Sequence, residues 1–156
     1  MTKTNAMRLL DAANIPFTLF EYPSDDPKQT AEDVARHVGL PPEQVFKTLT
    51  VRGEKRGILV FCIPANASLN LKKAAAAAGD KKLEMLPQKE LLGATGYIHG
   101  GCSPIGMKKK YPTYIDETCI LFDEITVSAG ARGAQLLIGV DALVGYVGAE
   151  VADVID

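Results

Sequence analysis

Apolar residues recur at three-and-four spacing over Ala6, Leu9, Leu10 and Ala13, which predicts a helix over residues 1–13 that Asn14-Ile15-Pro16 ends. Residues 17–22 are aromatic and branched and predict a short strand, stopped by Pro23 and a polar loop through Lys28. Thr30 followed by Asp33 has the form of a capping box, Val34 and Val38 supply a helix's apolar positions, and Gly39 supplies a left-handed stop. Leu40-Pro41-Pro42 opens a short turn. Two β-rich runs, 45–51 and 58–63, joined by a polar loop with two glycines, predict a hairpin whose second strand is apolar on both faces and therefore central. Asn70 caps a helix through the alanine run 74–78, closed by Gly79. A strand at 83–86, a helix over 87–92 and a strand at 97–99 lead to the glycine-rich stretch 100–106. Strands near 113–116, 119–122, 125–128 and 135–140 then precede a helix from Asp141. Strands and helices intersperse without a βαβ rhythm, so the expected fold is α+β: one domain over residues 1–156, a mixed and largely antiparallel sheet surrounded by helices.

Composition narrows the function. The chain has 156 residues, 47% hydrophobic and 23% charged, enough apolar mass for one core. Seventeen basic residues against nineteen acidic ones give a net charge of -2, which argues against a grip on long stretches of phosphate backbone; a nucleic-acid partner would be held locally. The basic run Lys108-Lys109-Lys110 is either such a local patch or a solvated surface run. Cys62, Cys102 and Cys119 show no C-x-x-C pair and read as thiols, and His37 and His99 stand far apart, so neither a metal nor a cofactor is expected. No run is long and apolar enough for a membrane span and the N-terminus lacks a secretory pattern, so the expected location is cytoplasmic.

Three segments carry candidate chemistry. Strict alternation along residues 45–51 puts Lys47 on the same side as Val45, Leu49 and Val51. An ammonium there either snorkels from the strand end or faces a cleft where an anion or polarised oxygen meets it. Gly100-Gly101-Cys102-Ser103-Pro104-Ile105-Gly106 is either a nest of backbone N–H groups or a tight structural turn, and lacks the Lys-Ser/Thr ending of a nucleotide phosphate loop. Ser128-Ala129-Gly130-Ala131-Arg132-Gly133 is a pocket edge or an ordinary hairpin loop. Cys102 lacks a histidine in a recognisable partner motif, which ranks a cysteine hydrolase below a passive thiol.

Taken in order, Val45-Phe46-Lys47-Thr48-Leu49, the 100–106 loop and the Val127-to-Gly133 turn resemble the YbaK/EbsC family, with further likeness at Leu71-Lys72-Lys73, Lys108-Lys109 and Pro112-Thr113. The family shares its fold with the editing domain inserted in bacterial prolyl-tRNA synthetases. The resemblance implies a free-standing deacylase of mischarged tRNA, in the branch similar to Cys-tRNA(Pro) deacylases, with Lys47 essential. It also implies that Gly100, Gly101, Ser103 and Pro104 border the aminoacyl pocket, and that Tyr22, Thr48, Ser128 and Arg132 contact substrate. The implied partners are the 3′ end of the tRNA acceptor with its amino acid and, transiently, prolyl-tRNA synthetase. One departure stands out: family members commonly carry an aspartate shortly after the Arg-Gly of the third motif, where this chain has Gln135.

Ester cleavage requires stabilisation of charge on the carbonyl oxygen and on the departing ribose oxygen. Lys47 can anchor the ribose-phosphate end, and the family precedent for a cysteinyl ester is attack by the substrate's own thiol, so that the pocket mainly positions the reactants. Two rivals are a deacylase for alanyl or another small aminoacyl ester, and a binding module of the same fold that has lost catalysis.

Overall fold

The computed structural model describes residues 2–156, and among them are five α-helices and eight strands. In chain order these are α1 (Asn5–Ala12), β1 (Phe17–Glu21), α2 (Ala31–Val38), β2 (Phe46–Gly53), β3 (Gly57–Pro64), α3 (Leu71–Ala78), β4 (Leu83–Met85), α4 (Gln88–Thr95), β5 (Thr113–Asp116), β6 (Glu124–Ser128), β7 (Ala134–Gly139), α5 (Val140–Val147) and β8 (Glu150–Ala152). The strands form two sheets. One is antiparallel in the order β1-β7-β6, the other is mixed in the order β4-β2-β3-β5-β8. A parallel bridge between Val45 and Thr126 joins the entry of β2 to β6 and so ties the sheets together.

Local chemistry explains most boundaries. Thr30 accepts from the Asp33 N–H while the Asp33 carboxylate accepts from the Thr30 N–H, and Gly39 ends α2 at φ 74°, so both expected caps of that helix form. Asn70 and Gly79 bracket α3 as expected. The hairpin pairs Lys47 with Ile63 and closes at Gly53 and Gly57, and β3 lies between β2 and β5, the central place its two apolar faces require. Apolar clusters fill the layers: one joins Phe46, Val127, Leu136 and Ile138 to α1 and α5, and a second packs Val51, Leu59 and Phe61 under the alanines of α3. A third seats Ala35 of α2 on Val45 and Ala65.

The structure corrects four expectations. The first helix begins at Asn5, because Thr4 takes the cap position and accepts from the Met7 N–H; Met1 lies outside the described residues. Residues 97–99 are not a strand: the Tyr97 N–H donates to Thr95 Oγ1 at 3.1 Å, which satisfies it locally instead of in a ladder. Residues 119–122 fall largely in a 3-10 turn, Glu117–Leu121, opened by the Asp116 carboxylate accepting from the Thr118 N–H. The expected sheet is divided in two, and β8, unforeseen, adds to β5 in parallel.

Candidate functional site

The joint between the sheets is where the chemistry-bearing residues gather. Ile125 and Val127 of β6 and Leu136 of β7 enter the main core, so alternation sends Thr126, Ser128 and Gln135 to the opposite face of that sheet. α2 covers this side: His37 stacks on Tyr22 with ring centroids 6.2 Å apart and planes inclined by 14°. Val45, in contact with α2 through the third cluster, marks the face of β2 that also bears Lys47.

Lys47 is partly buried, and its Nζ donates to the Ala65 carbonyl at 3.0 Å. Burial holds its pKa below the ordinary lysine value, and the nearby carboxylate of Glu32, in the first turn of α2, offsets part of that shift. Neither Glu32 nor the Ala65 carbonyl is visible in the local pattern around Lys47, since both come from segments that only the tertiary fold brings near. Gln135 does not substitute for a counter-charge. It is buried, its side-chain oxygen accepts from Thr126 Oγ1 at 3.1 Å, and it lies between Phe20 and Ser128 in the sheet register.

The glycine loop and the Ser128 turn form one unit. A Cβ on Gly101 would lie 3.0 Å from the Arg132 nitrogen and 3.1 Å from the Ala131 carbonyl carbon, so the absence of a side chain is what lets the two backbones touch. The Arg132 side chain lies over Gly100 and donates from Nη2 to the Asp26 carbonyl at 3.1 Å. The buried ring of Tyr97 closes the unit from beneath: Gly130 packs on its edge, and its hydroxyl donates to the Ile105 carbonyl. Thr4 fastens α1 to the same turn by donating to the Ala129 carbonyl at 2.6 Å.

The other residues singled out from the sequence divide. Ser128 Oγ accepts from the Gly130 N–H at 3.1 Å, which leaves its hydroxyl proton to donate elsewhere. The Tyr22 N–H donates to the Gly133 carbonyl at 2.9 Å, joining β1 to the turn. Ser103 is fully buried and accepts from the Ile105 N–H at 3.2 Å, so it shapes the loop from inside; Pro104 is buried beside it. Thr48 departs from the expected set, because strand alternation turns it to the face opposite Lys47, where its hydroxyl meets Cys62 Sγ at 3.7 Å.

Two open cavities border α2 and the far end of the glycine loop, and Lys47 lines neither. One, about 440 Å³, is bordered by Asp25, Asp26, Asp33 and His37; the other, about 330 Å³, runs from Pro104 and Gly106 to Tyr146 of α5. Among the described residues no group of three His, Cys, Asp or Glu is placed to hold a metal ion.

Residues 25–146 match the family model of the aminoacyl-tRNA editing domain. The chain belongs to that family. The chain is 43% identical over 97% of its length to EbsC of Enterococcus faecalis, named as a candidate Cys-tRNA(Pro)/Cys-tRNA(Cys) deacylase, and covers 93% of that relative. It is 31% identical over 52% of its length to the proline--tRNA ligase of Thermosipho africanus, of which it spans 14%. Among solved structures, that of a candidate trans-editing enzyme for prolyl tRNA synthetase superposes with a TM-score of 0.85 at 28% identity, covering 100% of this chain and 99% of the other.

Within the editing domain, Cys102 has the wrong environment for a nucleophile. It is buried with Leu91 and Tyr97, and burial pushes its thiol up to about 11. Cys62 and Cys119, also buried, are pushed up to about 12 and about 11. Cys102→Ala is expected to retain deacylation within about threefold and to lose about 1 kcal/mol of stability, checked by initial rates and urea unfolding. A loss of activity of 100-fold in a folded variant would return the thiol to the mechanism.

Proposed function

We propose that this editing domain deacylates mischarged tRNA in trans, with Cys-tRNA(Pro) as its preferred substrate. The observation that carries the proposal is a partly buried Lys47 on the strand whose entry bridges to β6, which leads into the Ser128 turn packed on the glycine loop, in a chain that covers nearly all of EbsC at 43% identity. In this reading the ammonium holds the ribose-phosphate end of the esterified adenosine. The Gly101 N–H donates to the Ile98 carbonyl at 3.0 Å, so the Gly100 N–H and the Ser128 hydroxyl face the ester, where negative charge grows on the carbonyl oxygen.

The reacting nucleophile belongs to the substrate. The cysteinyl thiol attacks its own ester carbonyl, the C–O bond to the ribose breaks, the thiol proton passes to the departing ribose oxygen, and the amino acid leaves as a cyclic thiolactone. The chain then supplies orientation and charge stabilisation, which fits a site whose own thiols are buried and protonated. Reading only the 3′ end agrees with a net charge of -2. Selection of tRNA(Pro) is then assigned to a transient complex with prolyl-tRNA synthetase in the cytoplasm. Comparing release from purified cysteinyl- and alanyl-tRNA(Pro) tests the substrate assignment, and a preference for alanine sinks it.

The anchor must be charged to work, which gives a pH signature. Lys47 is protonated below its lowered pKa, so kcat/KM should fall as pH rises through a value below that of an ordinary lysine. Glu32 favours the ammonium, so Glu32→Gln should move the alkaline limb to still lower pH while the acidic side of the profile stays in place. A pH–rate series on cysteinyl-tRNA checks this; a limb unmoved in the variant would remove Glu32 from the account.

A further inference from the structure

The 330 Å³ cavity between the glycine loop and α5 has a composition unlike the rest of this weakly acidic chain. Its border includes Lys109, Lys110, Tyr111 and Tyr146 together with Pro104 and Gly106, and it contains no carboxylate. Lys109 and Lys110 are exposed, and the ion pairs among the described residues, at Lys3, Arg36, Arg52 and Lys73, involve neither. Tyr111 is fixed by donating its hydroxyl to the Ala94 carbonyl at 2.6 Å, whereas Tyr146 remains 36% exposed. Lys110 Nζ lies near Gly148, the glycine that ends α5 in a left-handed turn. Two free ammonium groups beside two aromatic rings, with no competing acid, match a single-stranded nucleotide: phosphate on the lysines, base against a ring.

Position gives the cavity its role. The 100–106 segment has two ends: Gly100 and Gly101 pack on the Arg132 turn at the ester side, and Pro104 and Gly106 border this cavity. We infer that the cavity holds the unpaired nucleotides that precede the esterified adenosine, with Lys109 and Lys110 on their phosphates and Tyr146 stacked on a base. This inference rests on the deacylase reading and extends it to the strand that carries the ester. It also gives a use to part of the Lys108–Lys110 run, whose first member instead reaches back to the Gly93 carbonyl on α4.

The test uses the full chain with the uncharged RNA trinucleotide CCA as the binding probe, adenosine monophosphate as the small-ligand control, and cysteinyl-tRNA(Pro) as substrate. Lys109→Ala/Lys110→Ala should weaken CCA binding at least about tenfold and reduce the slope of log affinity against log salt by about 1.4, the contribution of two phosphate contacts on a single strand. Tyr146→Ala should weaken it at least about fivefold through lost stacking. Both variants should raise KM for the tRNA and leave kcat in place, and Lys81→Ala/Lys82→Ala, on an exposed segment outside the site, should match wild type. Unchanged affinity and salt slope in the Lys109/Lys110 variant, or a loss no larger than in the Lys81/Lys82 variant, would overturn the inference. Adenosine monophosphate binding as tightly as CCA would also overturn it, by assigning the cavity to a free nucleotide. A wild-type chain that binds CCA through these residues yet deacylates no ester refutes the deacylase reading and leaves strand binding standing.

Discussion

Lys47→Met should reduce kcat/KM for cysteinyl-tRNA(Pro) by about 100- to 1,000-fold, the range seen when a single group that stabilises developing charge is removed from an active site. Methionine keeps an unbranched stem against the neighbours of β2 and removes only the ammonium, so the fold should survive. The linkage sign points the same way. Because the folded-state pKa of Lys47 is lowered, the unfolded chain binds more protons between that lowered value and the ordinary lysine value, and stability contributed by this site rises with pH across that window. The variant should lose that slope and be at least as stable as wild type near neutrality. Melting curves at two pH values together with initial rates separate the outcomes: an inactive, folded protein supports the anchor, and an active one refutes it. Lys47→Arg is not a neutral exchange, since a longer, planar guanidinium that donates to the Ala65 carbonyl spreads its charge away from the point the ammonium occupies.

The second large effect is expected at Gly101. An alanine Cβ there would meet the backbone of Ala131 and Arg132 at 3.0–3.2 Å, and backbone, unlike a flexible side-chain end, cannot rotate away. Gly101→Ala should separate the loop from the Ser128 turn, cost about 1–3 kcal/mol of stability and lower deacylation about 10- to 100-fold, because displacement of a positioning element by a fraction of an ångström misaligns the ester. Gly93 of α4 supplies the contrast. A Cβ there meets nothing within 4 Å, so Gly93→Ala should keep full activity and gain about 0.5–1 kcal/mol of helix stability. Urea unfolding and kinetics on the two variants check the pair, and equal behaviour would contradict the packing argument.

The elements legible in the sequence were those with strong local chemistry. The Thr30 box, the Asn70 and Gly79 caps and the two-faced apolar run of β3 each carry their own instruction, and each formed as expected. The misreadings fell where a side chain intercepts the backbone. Thr95 takes the Tyr97 N–H and Asp116 takes the Thr118 N–H, and both remove residues with β-like composition from any ladder. The three candidate segments were legible as unusual, but their assembly was not. The Val45–Thr126 bridge that joins the sheets, the stacking of His37 on Tyr22 and the approach of Glu32 to Lys47 all depend on contacts between segments far apart in the chain. Alternation along β2 already placed Thr48 opposite Lys47, and that geometric reading describes Thr48 better than its place in a motif does.

Gln135 changes the electrostatics in a way the pattern alone left open. A carboxylate at this point of β7 would lie beside Thr126 and Ser128; the amide instead forms a neutral hydrogen bond to Thr126. The carboxylate that acts on Lys47 comes from α2 as Glu32. The ammonium is therefore partnered by a carbonyl and a more distant acid, an arrangement that leaves it able to take up a phosphate or ribose oxygen.

The most direct measurement is the initial rate of amino acid release from purified tRNA(Pro) charged in turn with cysteine, serine and alanine, each against its spontaneous hydrolysis. Serine matches cysteine in shape and replaces the attacking sulfur with a poorer nucleophile, so fast release of cysteine with serine and alanine near background is the predicted result. Equal release of all three esters, or faster release of alanine, would contradict cleavage by the substrate's own thiol.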